Sequence, residues 1–186
     1  LDKVAEALHK MVDDTGRPIP VIFRPFHEHT QTWNWWGRSA ASDDEFKALW
    51  RFVVEYLRDV KQCHNVIYAI SPQMDEVYSD TRSRLLYRWP GDKWVDFIGI
   101  DCYHGRNAKA FISNVKALSE LSKEKGKPVG VTETGLENNH TRNYWTEDCL
   151  PALKGQWCSM VVAWRNEKPS HAFGPYPSDV SAPDFK

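Results

Sequence analysis

A chain of 186 residues, 41% of them hydrophobic, is long enough to bury one real core. Its net charge of −1, with both signs mixed along the chain, excludes nucleic acid and an anionic membrane surface as main partners, since each calls for a concentrated basic face. The longest apolar runs, such as Met160–Trp164, are far too short to cross a bilayer, and no secretory leader opens the sequence.

In chain order, Val4, Leu8, Met11 and Val12 recur at helical spacing until Gly16-Arg17-Pro18 stops the pattern. Residues 19–26 read as a buried strand. Ser42-Asp43 caps a long helix whose apolar stripe is Phe46, Leu49, Trp50, Val53, Val54 and Leu57. Val66–Ile70 reads as a second strand. A loop-rich insert with the turn signal Trp89-Pro90-Gly91 leads to a third, Phe97–Cys102. Phe111, Val115, Leu118 and Leu121 mark another helix, ended by Gly126 and Pro128. Residues 129–132 form a fourth strand, a short helix lies around residues 144–153, and residues 160–164 form a fifth strand.

Strand starts fall about 46, 31, 31 and 32 residues apart, which are βα-unit lengths, and the strands are continuously apolar as parallel sheets require. No glycine-rich phosphate loop follows any strand, which weakens a doubly wound reading. Functional residue types instead close nearly every strand: His27-Glu28, Ser71-Gln73, Asp101-Tyr103-His104, Glu133 and Trp164-Asn166. A barrel puts its active site on that rim, so the expected fold class is α/β, a (β/α)8 barrel. Five strands stand where eight are needed, and the stretch from Ser181 reads as a capped helix start. The expectation is a partial catalytic domain over residues 1–186, without roughly its first three strands and its final helix.

Two glutamates, Glu28 and Glu133, end strands three βα steps apart. Glycoside hydrolysis needs such a pair, one acid to protonate the leaving oxygen and one ionised carboxylate to attack the anomeric carbon. Nine tryptophans fit sugar binding, since aromatic faces take the C–H faces of a ring. Trp33 and Trp36 are candidates to line the cleft, with core packing the competing role for Trp35 and Trp36. Arg165, Asn166 and His104 are candidates for hydroxyl contacts. Arg24, on a strand interior, needs a carboxylate partner. Two rivals remain: a metal-dependent hydrolase built on His27-x-His29, and a sugar-binding protein without catalysis. Cys63, Cys102, Cys149 and Cys158 show no metal or disulfide spacing and read as buried thiols, and neither metal nor cofactor is expected.

The segments FRPFHEHTQTWNWWG, WPGDKWVDFIGIDCY, PVGVTETG and VVAWRN resemble, in order and over almost the whole chain, those of glycoside hydrolase family 26. Its best-known members are bacterial endo-β-1,4-mannanases. The resemblance implies a barrel whose strands four to eight are present here, with Glu28 as acid/base and Glu133 as nucleophile. It also implies that Tyr103 hydrogen-bonds the nucleophile, that Asp101 and His27 support the pair, and that Trp164 and Trp33 are a floor and a wall for the sugar. Retaining cleavage of β-mannan outside the cytoplasm is the activity it implies, with same-family β-glucanase or xylanase action as the alternative.

Overall fold

The computed structural model describes residues 1–168 and 170–185. The chain divides into two compact units, one of residues 1–70 with 88–97 and one of residues 71–87 with 98–186.

In the first unit, α1 (Asp2–His9) buries Ala5 and Leu8. The sequence pattern carries this helix on to Val12, and the structure stops it at His9. The cause is Asp13, whose carboxylate accepts from the Thr15 and Arg17 backbone amides at 2.8 and 3.0 Å. A short polar side chain offers the backbone an alternative to the helix here. Strand β1 (Val21–Phe23) pairs in parallel with β2 (Val66–Ile70), Val21 opposite Val66. β1 is far shorter than residues 19–26, because Phe26 and Glu28 both adopt left-handed backbone with φ of 53°.

Between the two strands runs α2 (Asp43–Glu55), opened by a capping box. Ser42 accepts from the Glu45 amide while the Glu45 carboxylate accepts from the Ser42 amide. Its stripe, Phe46, Trp50, Val53 and Val54, is buried, and a π-helical turn (Tyr56–Val60) continues the stripe to buried Leu57. Asp96 locks the far side by a reciprocal bond with Tyr68, each amide donating at 2.9 Å.

Arg88 ties down the tryptophan-rich loop of this unit. Its side chain is 1% exposed and donates to the Asp43 carboxylate at 2.8 Å. It also donates to the backbone carbonyls of Trp36, His29 and Ala41. One guanidinium thus gathers three carbonyls of the loop together.

The second unit holds α3 (Thr81–Leu85), β3 (Phe97–Cys102), α4 (Ala108–Lys125), β4 (Val129–Thr134), α5 (Leu150–Leu153) and β5 (Val161–Ala163). A π-helical turn (Tyr144–Cys149) runs into α5. The strands lie side by side in chain order, all parallel. β3 and β4 are buried at every residue, which explains their unbroken apolar runs. Gly99 lets them approach, since a Cβ there would sit 2.6 Å from the Thr132 side chain. Gly126, in left-handed backbone, ends α4 as its position in the sequence predicts. The buried thiol of Cys149 is pushed up to about 12 by desolvation, and the four cysteines are free.

Strand and helix alternate, and the pairings between named strands within each unit are parallel, giving the α/β class and the pattern of a partial (β/α)8 barrel. Arg88→Met should lower unfolding stability by about 2–3 kcal/mol, because buried carbonyls lose their donor. Urea denaturation of the full-length protein, followed by tryptophan fluorescence, measures it.

Candidate active site

The first unit places Glu28 five residues beyond β1, 8% exposed. Left-handed backbone at two non-glycine residues costs on the order of 1–3 kcal/mol each and persists only where packing over-determines it. That packing is aromatic. The Phe26 ring meets Trp35 and Trp36 at 5.8 Å and Phe46 and Trp50 at 6.5 Å, all near edge-on. Trp36 Nε1 donates to the His27 carbonyl at 2.8 Å, and the Gln31 amide donates to the Glu28 carbonyl at 2.9 Å.

Trp36 is therefore half-buried and structural on one edge, whereas Trp33 and Trp35 are 62% and 64% exposed. Arg24 and His27 are half-buried, directly after the strand and directly before Glu28. His29 is wholly buried and stacked on Phe46 at 4.7 Å. With the strand ended at Phe23 and His29 in the core, the shared strand face on which a His27-x-His29 metal pair depended does not exist.

In the second unit, Glu133 is the penultimate residue of β4, 3% exposed, and accepts a hydrogen bond from the Tyr103 phenol at 2.6 Å. A register shift sets Ile100 opposite Val131 but Asp101 opposite Glu133, so β4 bulges at Thr132. The Thr132 hydroxyl sits 2.6 Å from the Asp101 carboxylate, which also accepts from Ser71 at 3.4 Å. Asp101 is wholly buried. Asp75 accepts from the Tyr103 amide at 2.7 Å, and burial raises its carboxyl above the ordinary range against that bond. No motif marked Asp75; only its place near a strand end hinted at it.

Beyond β5, Trp164 is half-buried, and its amide donates to the Thr134 carbonyl at 2.8 Å. Arg165 is exposed, with its guanidinium 5.8 Å from the Trp164 ring and 3.7 Å from Glu167. Asn166 is exposed but engaged. Its side-chain oxygen accepts from the Phe173 and Gly174 amides at 2.9 Å, and its nitrogen donates back to the Gly174 carbonyl. His104 differs from expectation. It is 5% exposed and stacked on Phe111 at 4.3 Å and on Tyr144 at 6.0 Å, so the ring serves packing rather than a sugar-facing surface.

The sequence profile of glycosyl hydrolase family 26 matches residues 1–145. The chain belongs to that family. It is 38% identical over 143 residues to a mannan endo-1,4-β-mannosidase of Bifidobacterium adolescentis, covering 73% of this chain and 14% of that protein. A mannan endo-1,4-β-mannosidase of Bacillus subtilis is 28% identical over 176 residues, 90% of this chain and 44% of its own length. Among solved structures, a family 26 β-mannanase of Bacteroides ovatus superposes with a TM-score of 0.91 at 41% identity, over 99% of this chain and 54% of that one. A modular endo-β-1,4-mannanase of Cellulomonas fimi gives 0.87 at 32% identity, over 99% and 43%. The chain thus spans less than half of these curated relatives and about half of the Bacteroides structure.

Burial holds the His104 imidazole below its ordinary range, and a hydrogen bond to the Cys102 backbone together with the Asp148 and Asp75 carboxyls opposes this only in part. The folded state keeps the ring neutral where the unfolded chain gains a proton, so this share of stability is present above about pH 6.5 and is lost as pH falls through that value. His104→Phe should flatten the decline in urea midpoint between roughly pH 7 and pH 5. An unchanged decline would place the acid sensitivity elsewhere.

Proposed function

We propose that residues 1–186 are part of the catalytic domain of a β-1,4-mannan hydrolase acting by double displacement with retention of configuration. What carries the reading is Glu133, a buried carboxylate at a strand end with a phenol donating to it at 2.6 Å, in a chain of this family. That hydrogen bond fixes the orientation of the carboxylate, which is what a nucleophile at an anomeric carbon requires. Glu28 is the acid/base, protonating the leaving oxygen and then deprotonating the water that releases the sugar. The relatives named mannan endo-1,4-β-mannosidases support mannan or galactomannan as substrate.

Supporting roles follow from position. His27, beside the acid, contacts the sugar or its attacking group. Arg24 supplies positive charge directly after β1. Asp101 braces the Tyr103 end of β3. Trp33, Trp36 and Trp164 offer faces to sugar rings, and Arg165 binds hydroxyls in a flanking position. Asn166 acts chiefly on its own loop. Export to polysaccharide-rich surroundings, outside the cell, in a periplasm or at the cell surface, fits such a substrate. Among the described residues no helix is long and apolar enough to cross a membrane.

In the full-length protein, Glu133→Ala should abolish release of oligosaccharides from mannan and hydrolysis of activated aryl glycosides alike. Glu28→Ala should spare the first step on aryl substrates with a good leaving group, which needs no acid, while slowing the second. Equal loss on natural and activated substrates would contradict the acid role. Tyr103→Phe should lower kcat by about 10–100-fold with the fold intact. Proton NMR of the first product should show the β-anomer, and the α-anomer would rule out double displacement. Faster hydrolysis of mixed-linkage glucan or xylan than of mannan would shift the assignment within the family.

A further inference from the structure

Tyr103 stands one residue beyond β3, so strand pairing does not fix where its ring points. Asp75 holds its backbone amide. The ring itself meets Phe173 edge-on, at 5.6 Å and 70°. Phe173 belongs to a segment that is fastened at several points. Asn166 clamps the Phe173 and Gly174 amides. The Asn138 amide donates to the Ala172 carbonyl at 2.8 Å, and its side chain donates to the Ser170 carbonyl at 2.9 Å. His171 Nδ1 lies 2.7 Å from the Glu137 carboxylate, with its ring edge-on to Phe173 at 5.2 Å.

The residue two after Glu133 completes the arrangement. Gly135 has φ of 134°, and a Cβ there would lie 2.9 Å from the Phe173 Cβ. The chain leaving the nucleophile thus passes directly against Phe173, which touches the donor to that nucleophile. Edge-to-face pairs are worth about 0.5–1.5 kcal/mol beyond their buried area, enough to bias the orientation of a phenol on a free strand end.

We propose that Phe173 is a positioning residue that holds the Tyr103 phenol on the Glu133 carboxylate, with the Asn166 clamp and the Glu137–His171 pair fixing Phe173 in turn. The catalytic part of the claim rests on the nucleophile role of Glu133.

The test uses the full-length protein labelled with 13Cζ-tyrosine, the Tyr103 resonance being identified by its loss in Tyr103→Phe. Phe173→Ala, or Phe173→Leu should the alanine variant not fold, should shift and broaden that resonance, and Asn166→Ala should move it the same way. An unmoved resonance overturns the proposal whatever the activity. On a mannan oligosaccharide, Phe173→Ala should lower kcat by about tenfold with KM nearly unchanged. Phe173→Tyr, which keeps the ring, should restore it, and adding Phe173→Ala to Tyr103→Phe should cost little more. A loss confined to KM, or full additivity of the two changes, also overturns the proposal. If wild-type protein leaves mannan intact while the resonance still responds, the assigned activity falls and the positioning role stands.

Discussion

A carboxyl group that is 3% exposed must find hydrogen-bond partners inside the protein, and the end of β4 is arranged around that demand on Glu133. The Tyr103 phenol answers it at 2.6 Å. Much of the second unit then serves the phenol: Asp75 on its amide, Phe173 against its ring, and the Asn166 clamp behind Phe173. Asp101 and Thr132 supply the buried bonds that hold the two strand ends in fixed register beneath it. The Glu133 carboxyl is fixed by a chain of contacts, each link replacing water that burial removed.

The first unit meets a different constraint by different means. Glu28 is carried on a turn with two residues in left-handed backbone, and no glycine relieves either. The compensating energy comes from aromatic packing about Phe26 and from the Arg88 guanidinium, which binds the carbonyls of the following loop. Tryptophans after the opening strand therefore do two jobs. Trp36 holds the turn by its indole N–H, while Trp33 and Trp35 keep broad faces in solvent.

How much of this could be read from residue types varies with the interaction. The long helices and buried strands were plain, because apolar periodicity and the caps at Ser42 and Gly126 are local signals. The ends of β1 and α1 were not, since left-handed Phe26 and Glu28 are imposed by tertiary packing and the Asp13 turn competes with a good helical stripe. The burial of Glu133 at the end of β4 with the Tyr103 phenol against it fits what their types and places suggested, whereas Glu28 lies on a turn beyond β1 rather than at a strand end. Phe173, Arg88 and Asp75 did not announce themselves, because each acts through a contact between segments distant in sequence. His104 misled for the converse reason: an imidazole near a rim has the right chemistry for a hydroxyl, yet its flat ring is also a good core surface between Phe111 and Tyr144.

The bulge at Thr132 gives β4 one residue more than β3 needs over the same stretch. Side chains alternate along a strand, so an uninterrupted ladder there would turn the Glu133 side chain to the opposite face of the sheet. Perfect pairing and the aim of the Glu133 side chain compete at this one position, and it is the pairing that yields. The irregular ladder thus acts as a sighting device, and shortening the strand by a single residue would blind it while leaving its hydrophobic composition almost untouched.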